Sequence, residues 1–412
     1  MTEDEIVRFV SDGFERAKGG NAIDTYRQVL EIFNAGEFPK RSHYPFGWIA
    51  YYALHQSATH EIEQRKRMLA LYLRLSVARP HKLHSMILTE AIRLYKDARD
   101  MAYVAKGKDI PHFSIIKFSR LWDLDNLRPG DWRRKEHDGT LLNATAERLI
   151  TIYVDELEQT SQAPTEEINA LMERALTDFP NTDTLLAQQA TLLRLAGEPL
   201  RARDMLRRAI LNAPTKFFLW HRLATMMSPR NELRLHIAFL CKALLAPGPD
   251  KFKGRIHLDL AAALIACGQF PKALRELQSV ESCYKENSWH LPRVFAELTA
   301  KIPDGVAPET DAGWYRRFNS IADNDIYSQL PSVKVVKTYH KDEVPPKPGS
   351  RRPTPIAWRL TDGQGNNYWI QPHRYNLRSD LKLGTKLLIK VHNGKVVAAE
   401  LDKDFDGVSI PF

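Results

Sequence analysis

The sequence predicts a mainly α chain, a helical-repeat solenoid followed by a small C-terminal all-β barrel. Three observations carry this. Ala175, Ala209 and Ala243 are spaced by 34 and 34 residues in matching frames. Helical periodicity fades after Leu330, where Val333 to His340 alternates as a strand does. The chain has 412 residues, too many for one ordinary core, so two or three domains are expected.

The repeat frames are Glu-Arg-Ala-Leu (173–176), Arg-Arg-Ala-Ile (207–210) and Cys-Lys-Ala-Leu (241–244). Pro180, Pro214 and Pro247 follow as helix stops. The best copy runs from Asp183 to Lys216. Leu186, Ala190 and Leu193 share one face of a first helix, Gly197 makes the turn, and Ala202, Leu206 and Ala209 face back from a second. The small alanines let the two helices approach closely. A second copy, from Phe217 to about Asp250, carries Trp220, Leu223, Ala224 and Ala243. It is irregular, with His236 at a small-residue position and Asn231 in place of the turn glycine. A third, from Gly254, has Leu260, Ala261, Leu264, Gly268, Phe270, Ala273 and Leu277. A degenerate copy ends at Pro180. This middle region resembles the tetratricopeptide repeat. The resemblance implies a right-handed superhelix with a concave groove that holds a protein or peptide, and implies no catalysis. For each repeat-matching residue, core packing is the reading with most weight.

Residues 1–148 are expected to form an N-terminal helical domain. Ile6, Phe9, Val10 and Phe14 recur at helical spacing, as do Tyr26, Val29, Leu30 and Phe33. Phe46, Trp48, Tyr51 and Tyr52 read as core. The pattern breaks over about 107–142, with Pro111, Pro129-Gly130 and the basic run Trp132-Arg133-Arg134-Lys135, so an irregular loop is expected there. It reads either as a partner-contact loop or as a plain surface excursion. The repeats then occupy 149–300, a connecting helix or linker 301–331, and a small basic barrel 332–412.

In that last segment Ile356 to Thr361 and Tyr368 to Gln371 read as strands. Gly384 to His392 and Lys395 to Leu401 read as a hairpin around Asn393-Gly394, a type I′ signal. A two-residue turn pairs His392 with Lys395, which puts Val391 with Val396 and Ile389 with Ala398 on the core side. Lys386, Lys390, His392 and Lys395 take the other side. Ile356, Trp358 and Leu360 point one way, Ala357 and Arg359 the other. The order of elements resembles a cold-shock-type OB-fold. Ala357-Trp358-Arg359-Leu360-Thr361 stands where that family has its first RNA-contact strand, and Tyr368-Trp369-Ile370-Gln371 at the second. The family's surface aromatics are here Ala357 and Arg359, its second-strand histidine is Gln371, and Trp369 keeps a stacking-capable ring.

Charge points the same way. Of the net +9, Pro331 to Phe412 carries +6, from 14 basic and 8 acidic residues. A basic excess in one small domain suits a polyanion, nucleic acid first, or else a solvated surface kept for solubility. The candidate contacts for RNA or single-stranded DNA are Lys337, Arg359, Trp369, Arg374, Lys390 and Lys395, with Arg351 and Arg352 on the Pro-rich loop 344–353. The competing reading packs Trp369 against the helices and leaves the lysines solvated.

No enzyme signature survives. His60-Glu61 lacks a zincin's second histidine, His137-Asp138 has no partner histidine, and no Walker loop, glycine fingerprint or nucleophile elbow is present. The tail Asp402 to Gly407 lacks a calcium loop's distal Glu. Cys241, Cys267 and Cys283 make neither a disulfide framework nor a zinc site. No metal and no cofactor are expected. No stretch approaches a membrane span, and the acidic start lacks signal-peptide order, so a cytoplasmic protein with no membrane partner is expected. The leading expectation is a non-catalytic adaptor, with repeats for protein and a barrel for nucleic acid. The alternatives are a pure protein-interaction scaffold and an unrecognised nucleic-acid-processing enzyme.

Overall fold

The computed structural model describes residues 1–104, 112–227, 232–311, 313–342, 355–375 and 377–402. It divides after Pro180 into two compact units.

The first unit holds α1 (Glu3–Lys18), α2 (Ala22–Asn34), α3 (His43–Gln56), α4 (Ile62–Tyr72), α5 (Lys82–Val104), α6 (Ile115–Trp122), a hairpin of β1 (Lys135–His137) and β2 (Thr140–Leu142), α7 (Thr145–Thr160) and α8 (Glu166–Asp178). A capping box starts α1: Glu5 N–H donates to Thr2 Oγ1 at 3.3 Å, and Thr2 N–H to Glu5 Oε2 at 2.7 Å. Ile6, Val10 and Ala17 bury its inner face, and α3 contributes Phe46, Ile49, Ala50 and Leu54 to the core. Tyr51 is buried too, whereas Trp48 and Tyr52 keep part of their rings in solvent.

The stretch predicted to be an irregular loop is structured from residue 112 on. Three buried carboxylates hold it. Glu156 accepts from Ile115 N at 2.7 Å and Ile116 N at 3.2 Å, satisfying the first amides of α6. Asp131 accepts from Ser85 Oγ at 2.7 Å and Arg128 N at 2.9 Å. Glu147 accepts from Arg134 Nε at 2.8 Å and Ala144 N at 2.9 Å. The run 132–135 is partly tied down: Trp132 is buried and Arg134 lies 4.5 Å over the Phe179 ring, while Arg133 and Lys135 are exposed. The turn Asp138-Gly139 takes φ of +49° and +70°, as a tight hairpin requires.

His84 gives this unit a pH dependence. Its Nε2 donates to Ala78 O at 3.1 Å, so Nδ1, 2.7 Å away, accepts from the Tyr72 hydroxyl. Burial holds the imidazole below the ordinary histidine range. A depressed folded value means the stability contribution is full above the unfolded value, about 6.5, and is lost as pH falls below it. The urea midpoint, read by a probe in this unit, is thus expected to drop between pH 7.5 and 5.5, and His84→Asn to shrink that drop. An equal drop in the variant would remove His84 as its source.

The second unit opens with three helical hairpins: α9 (Asp183–Leu195) with α10 (Pro199–Asn212), α11 (Phe217–Thr225) with α12 (Leu233–Leu245), and α13 (Gly254–Ala266) with α14 (Phe270–Glu286). Ala190, Ala202, Ala209, Ala243, Ala261 and Ala273 are all buried at the helix contacts. Gly197 (φ +83°) and Gly268 (φ +71°) end α9 and α13 with the same cap. Glu198 N–H returns to Leu193 O at 2.8 Å, and Gln269 N–H to Leu264 O at 2.9 Å. His236, the misfit of the pattern, is accommodated by polarity. Its buried Nδ1 meets Ala224 O at 2.7 Å. Asn231 lies outside the described residues.

After α15 (Arg293–Thr299) comes α16 (Trp314–Tyr327), which falls in the stretch 301–331 where a connecting helix or linker is expected. It spans the second helices of all three hairpins. Asp325 pairs with Arg207 of α10 at 2.9 Å, Asp323 with Lys242 of α12 at 2.6 Å, and Tyr315 donates to Glu276 of α14 at 2.5 Å. Trp314, Ala322, Ile326 and Tyr327 are buried. Helical packing thus continues to Tyr327.

The chain then forms a five-stranded antiparallel sheet, β3 (Ser332–Lys341), β4 (Ala357–Asp362), β5 (Asn367–Ile370), β6 (Lys386–His392) and β7 (Lys395–Leu401), in the order β5-β4-β3-β6-β7. It curls so that the edge strands β5 and β7 approach each other, with no ladder between them among the described residues. Val335, Trp358, Leu360, Ile370, Leu387, Ile389 and Val396 fill the concave side. The Asn393-Gly394 turn pairs His392 with Lys395 and Val391 with Val396 as expected. One step on, a bulge inserts Val397, so Ile389 faces Ala399 rather than Ala398. Val396 and Val397 are consequently both buried.

Candidate nucleic-acid interface

The solvent face of the sheet follows from its pleat. On β6, Leu387 and Ile389 turn inward, so Lys386, Leu388, Lys390 and His392 turn outward. On β3, Val335 and Lys337 turn inward. Strict alternation would carry Tyr339 inward as well. A bulge intervenes: Lys337 opposes Leu360, Tyr339 opposes Arg359, and Thr338 is the extra residue. Its hydroxyl spans to β4, 2.8 Å from Thr361 Oγ1. Past it the phase reverses and Tyr339 emerges on the solvent face.

Three side chains on adjacent strands thereby form one row. Tyr339 faces Arg359 across β3–β4, and Arg359 faces Trp369 across β4–β5. Trp369 is 58% exposed and Tyr339 45%. Their rings meet edge to face with centroids 5.9 Å apart. The Arg359 guanidinium lies 5.7 Å from the Tyr339 ring, and its Nε donates to Thr338 Oγ1 at 3.4 Å. The next row is polar: Thr361 Oγ1 donates to Asn367 Oδ1 at 2.9 Å. Beyond it, the exposed Lys386 and Lys334 extend the same face. Asp402, just past β7, lies 3.9 Å from the Lys334 ammonium, and the acid of β4, Asp362, is occupied. Hydrogen bonds from Asn366, with those from Gln364 and Tyr368, hold its carboxyl below the usual range and shape the β4–β5 turn.

Of the predicted contacts, Arg359 and Trp369 come together in this row, and Trp369 is not packed against helices. Lys395 is exposed at the far hairpin tip, and Arg374 on the short helical turn Pro372–Tyr375. Lys390 is on the outer face but half-buried, its ammonium donating to Leu330 O at 2.7 Å. Arg351 and Arg352, with the loop 344–353, lie outside the described residues.

Lys337 is a correction. It is 2% exposed and faces the core, not solvent. Its Nζ donates to Leu381 O at 2.5 Å, lies 2.9 Å from His340 Nδ1, and sits 4.1 Å over the Trp358 ring. Burial pulls the ammonium below the ordinary lysine range, against the pull of Asp380. Lys337→Met is therefore expected to leave nucleic-acid affinity within about twofold, since it removes no phosphate contact. A larger loss, in a variant with unchanged circular dichroism, would return Lys337 to the surface. Tyr339 was missed because nothing in the residues around Thr338 marks the bulge; Lys334 and Lys386 were legible as outward-facing but unselected.

Comparisons with known proteins bear on the helices that lead into this sheet. Residues 186–330 match a family model described as "Domain of unknown function (DUF7017)". The match begins within α9 and ends just past α16, so the hairpins and the helix across them are matched as one unit. Among solved structures the chain is similar to one described as "Human IFIT1 dimer with PPP-AAAA", at 16% identity and a TM-score of 0.34. That likeness covers 74% of this chain, which spans about 62% of the other. No curated protein matches. Among the described residues, no helix is long and apolar enough to cross a membrane, and no His, Cys, Asp or Glu cluster could hold a metal ion.

Proposed function

We propose that this protein is a non-catalytic adaptor. Its C-terminal sheet, read as an OB-type barrel, binds RNA or single-stranded DNA, and its hairpins, read as a tetratricopeptide-type array, hold a protein partner. The observation that carries the first part is the row Tyr339–Arg359–Trp369. Two large rings stand in solvent beside a guanidinium on a face that continues into lysines. Stacking on an exposed ring contributes about 1–3 kcal/mol per base and tolerates any sequence, because every base has a π-face. Lys386 and Lys334 neutralise phosphates, and the released counterions make affinity fall with salt. In OB-folds the second and third strands carry the oligonucleotide face, and here those are β4 and β5. The array reading rests on the repeated glycine caps and buried alanines of α9–α14.

The test is a salt titration of the full chain with labelled single-stranded RNA and DNA. Binding at low salt is expected to weaken as salt rises, with a log–log slope of roughly −0.7 for each phosphate neutralised. No binding at low salt would leave a protein-interaction scaffold with the sheet as a docking module.

A further inference from the structure

The row Tyr339–Arg359–Trp369 does more than offer a surface for any base. The two rings meet at an interplanar angle of 73°, so they do not present one flat platform for two consecutive stacked bases. A base laid on Trp369, the more exposed ring, meets Tyr339 as a wall rather than as a second shelf. Beside it is Arg359, the cross-strand neighbour of both rings. Its Nε donates to Thr338 Oγ1 at 3.4 Å, so the fork it can offer a ligand is the pair of terminal nitrogens. Its two terminal nitrogens have neither a carboxylate nor a carbonyl partner among the described residues. Arg359 therefore presents, among the described residues, an unspent pair of parallel N–H donors at the edge of a stacking site. Guanine offers two acceptors spaced for such a fork, O6 and N7, and unpaired cytosine another pair, O2 and N3, whereas adenine and uracil offer none; of the two, the purine covers more of the indole.

Given the nucleic-acid face proposed above, we infer that this row selects an unpaired guanine, stacked on Trp369 and held by the Arg359 fork at O6 and N7. The neighbouring polar row does not compete for the base, because Thr338, Thr361 and Asn367 bond to one another. The lysines beyond it serve the backbone of the same strand without regard to sequence.

The experiment uses the full chain and three labelled RNAs of equal length, read by fluorescence anisotropy at low salt. One is uridine only, one carries guanine at every third position, and one carries 7-deazaguanine there, which lacks N7. The guanine RNA is expected to bind about five- to a hundredfold more tightly than the uridine RNA, and the deaza RNA to fall back towards uridine. Arg359→Lys, with circular dichroism as a folding control, is expected to abolish the preference, the guanine, deaza and uridine RNAs then binding within about twofold of one another. Equal affinity of the wild type for guanine and uridine RNAs overturns the inference. So does a uniform loss for all three RNAs in Arg359→Lys, which marks a phosphate contact. If no RNA binds the wild type, the nucleic-acid reading itself fails, an outcome distinct from loss of selectivity.

Discussion

Trp369→Ala is expected to weaken binding of the full chain to single-stranded RNA by about five- to a hundredfold, the equivalent of about 1–3 kcal/mol for one lost base stack. The indole is 58% exposed and lies on the edge strand β5, so its removal leaves the sheet core of Trp358, Leu360 and Ile370 intact. Tyr339→Ala should act in the same direction. The double variant should lose less than the sum of the two, because the rings touch each other and a base would use both. Anisotropy titrations at one fixed salt concentration check this. Unchanged affinity in both single variants would mean that the rings are bystanders.

The largest expected effect on stability is at Trp220. The residue is fully buried where α11 meets α12 and α16, with Phe239 at 6.0 Å and Tyr327 at 6.1 Å between ring centroids. Its Nε1 donates to Pro214 O at 2.7 Å, tying the helix to the turn before it. Trp220→Ala is expected to destabilise the second unit by about 3–5 kcal/mol, through lost burial and the cavity left behind. Because Tyr327 leans on the indole and the chain enters β3 only a few residues later, the loss should reach the sheet as well as the hairpins. Urea unfolding followed by circular dichroism measures it. A cost under about 1 kcal/mol would show that this contact does not join α16 to the array.

Much of the architecture was readable from residues whose role is local. The alanines spaced by 34 residues are small because helices touch there, and Gly197 and Gly268 adopt the positive φ that their caps need. Asn393-Gly394 specified its turn and the first two pairs of its hairpin. What escaped the sequence depends on distant partners. A helix or linker is expected over 301–331, but the packing of Trp314, Tyr315 and Ile326 was not legible, because the face they cover is built from α10, α12 and α14. The stretch 112–142 read as irregular because its order comes from Glu147, Glu156 and Ser85, which lie outside it. The two bulges each shift the strand pattern by one residue. The one at Thr338 decides the site: Lys337, still in phase with Val335, stays in the core, and Tyr339 past the bulge stands in solvent, the reverse of what alternation predicts for the tyrosine. Arg359 and Trp369 were found because β4 and β5 alternate without interruption.

The most direct test is to photocrosslink the full chain to a single-stranded RNA and map the modified peptides by mass spectrometry. The account predicts adducts on the peptides bearing Tyr339 and Trp369, lost in the double alanine variant. Adducts confined to the helices, with β3, β4 and β5 unmodified, would contradict it.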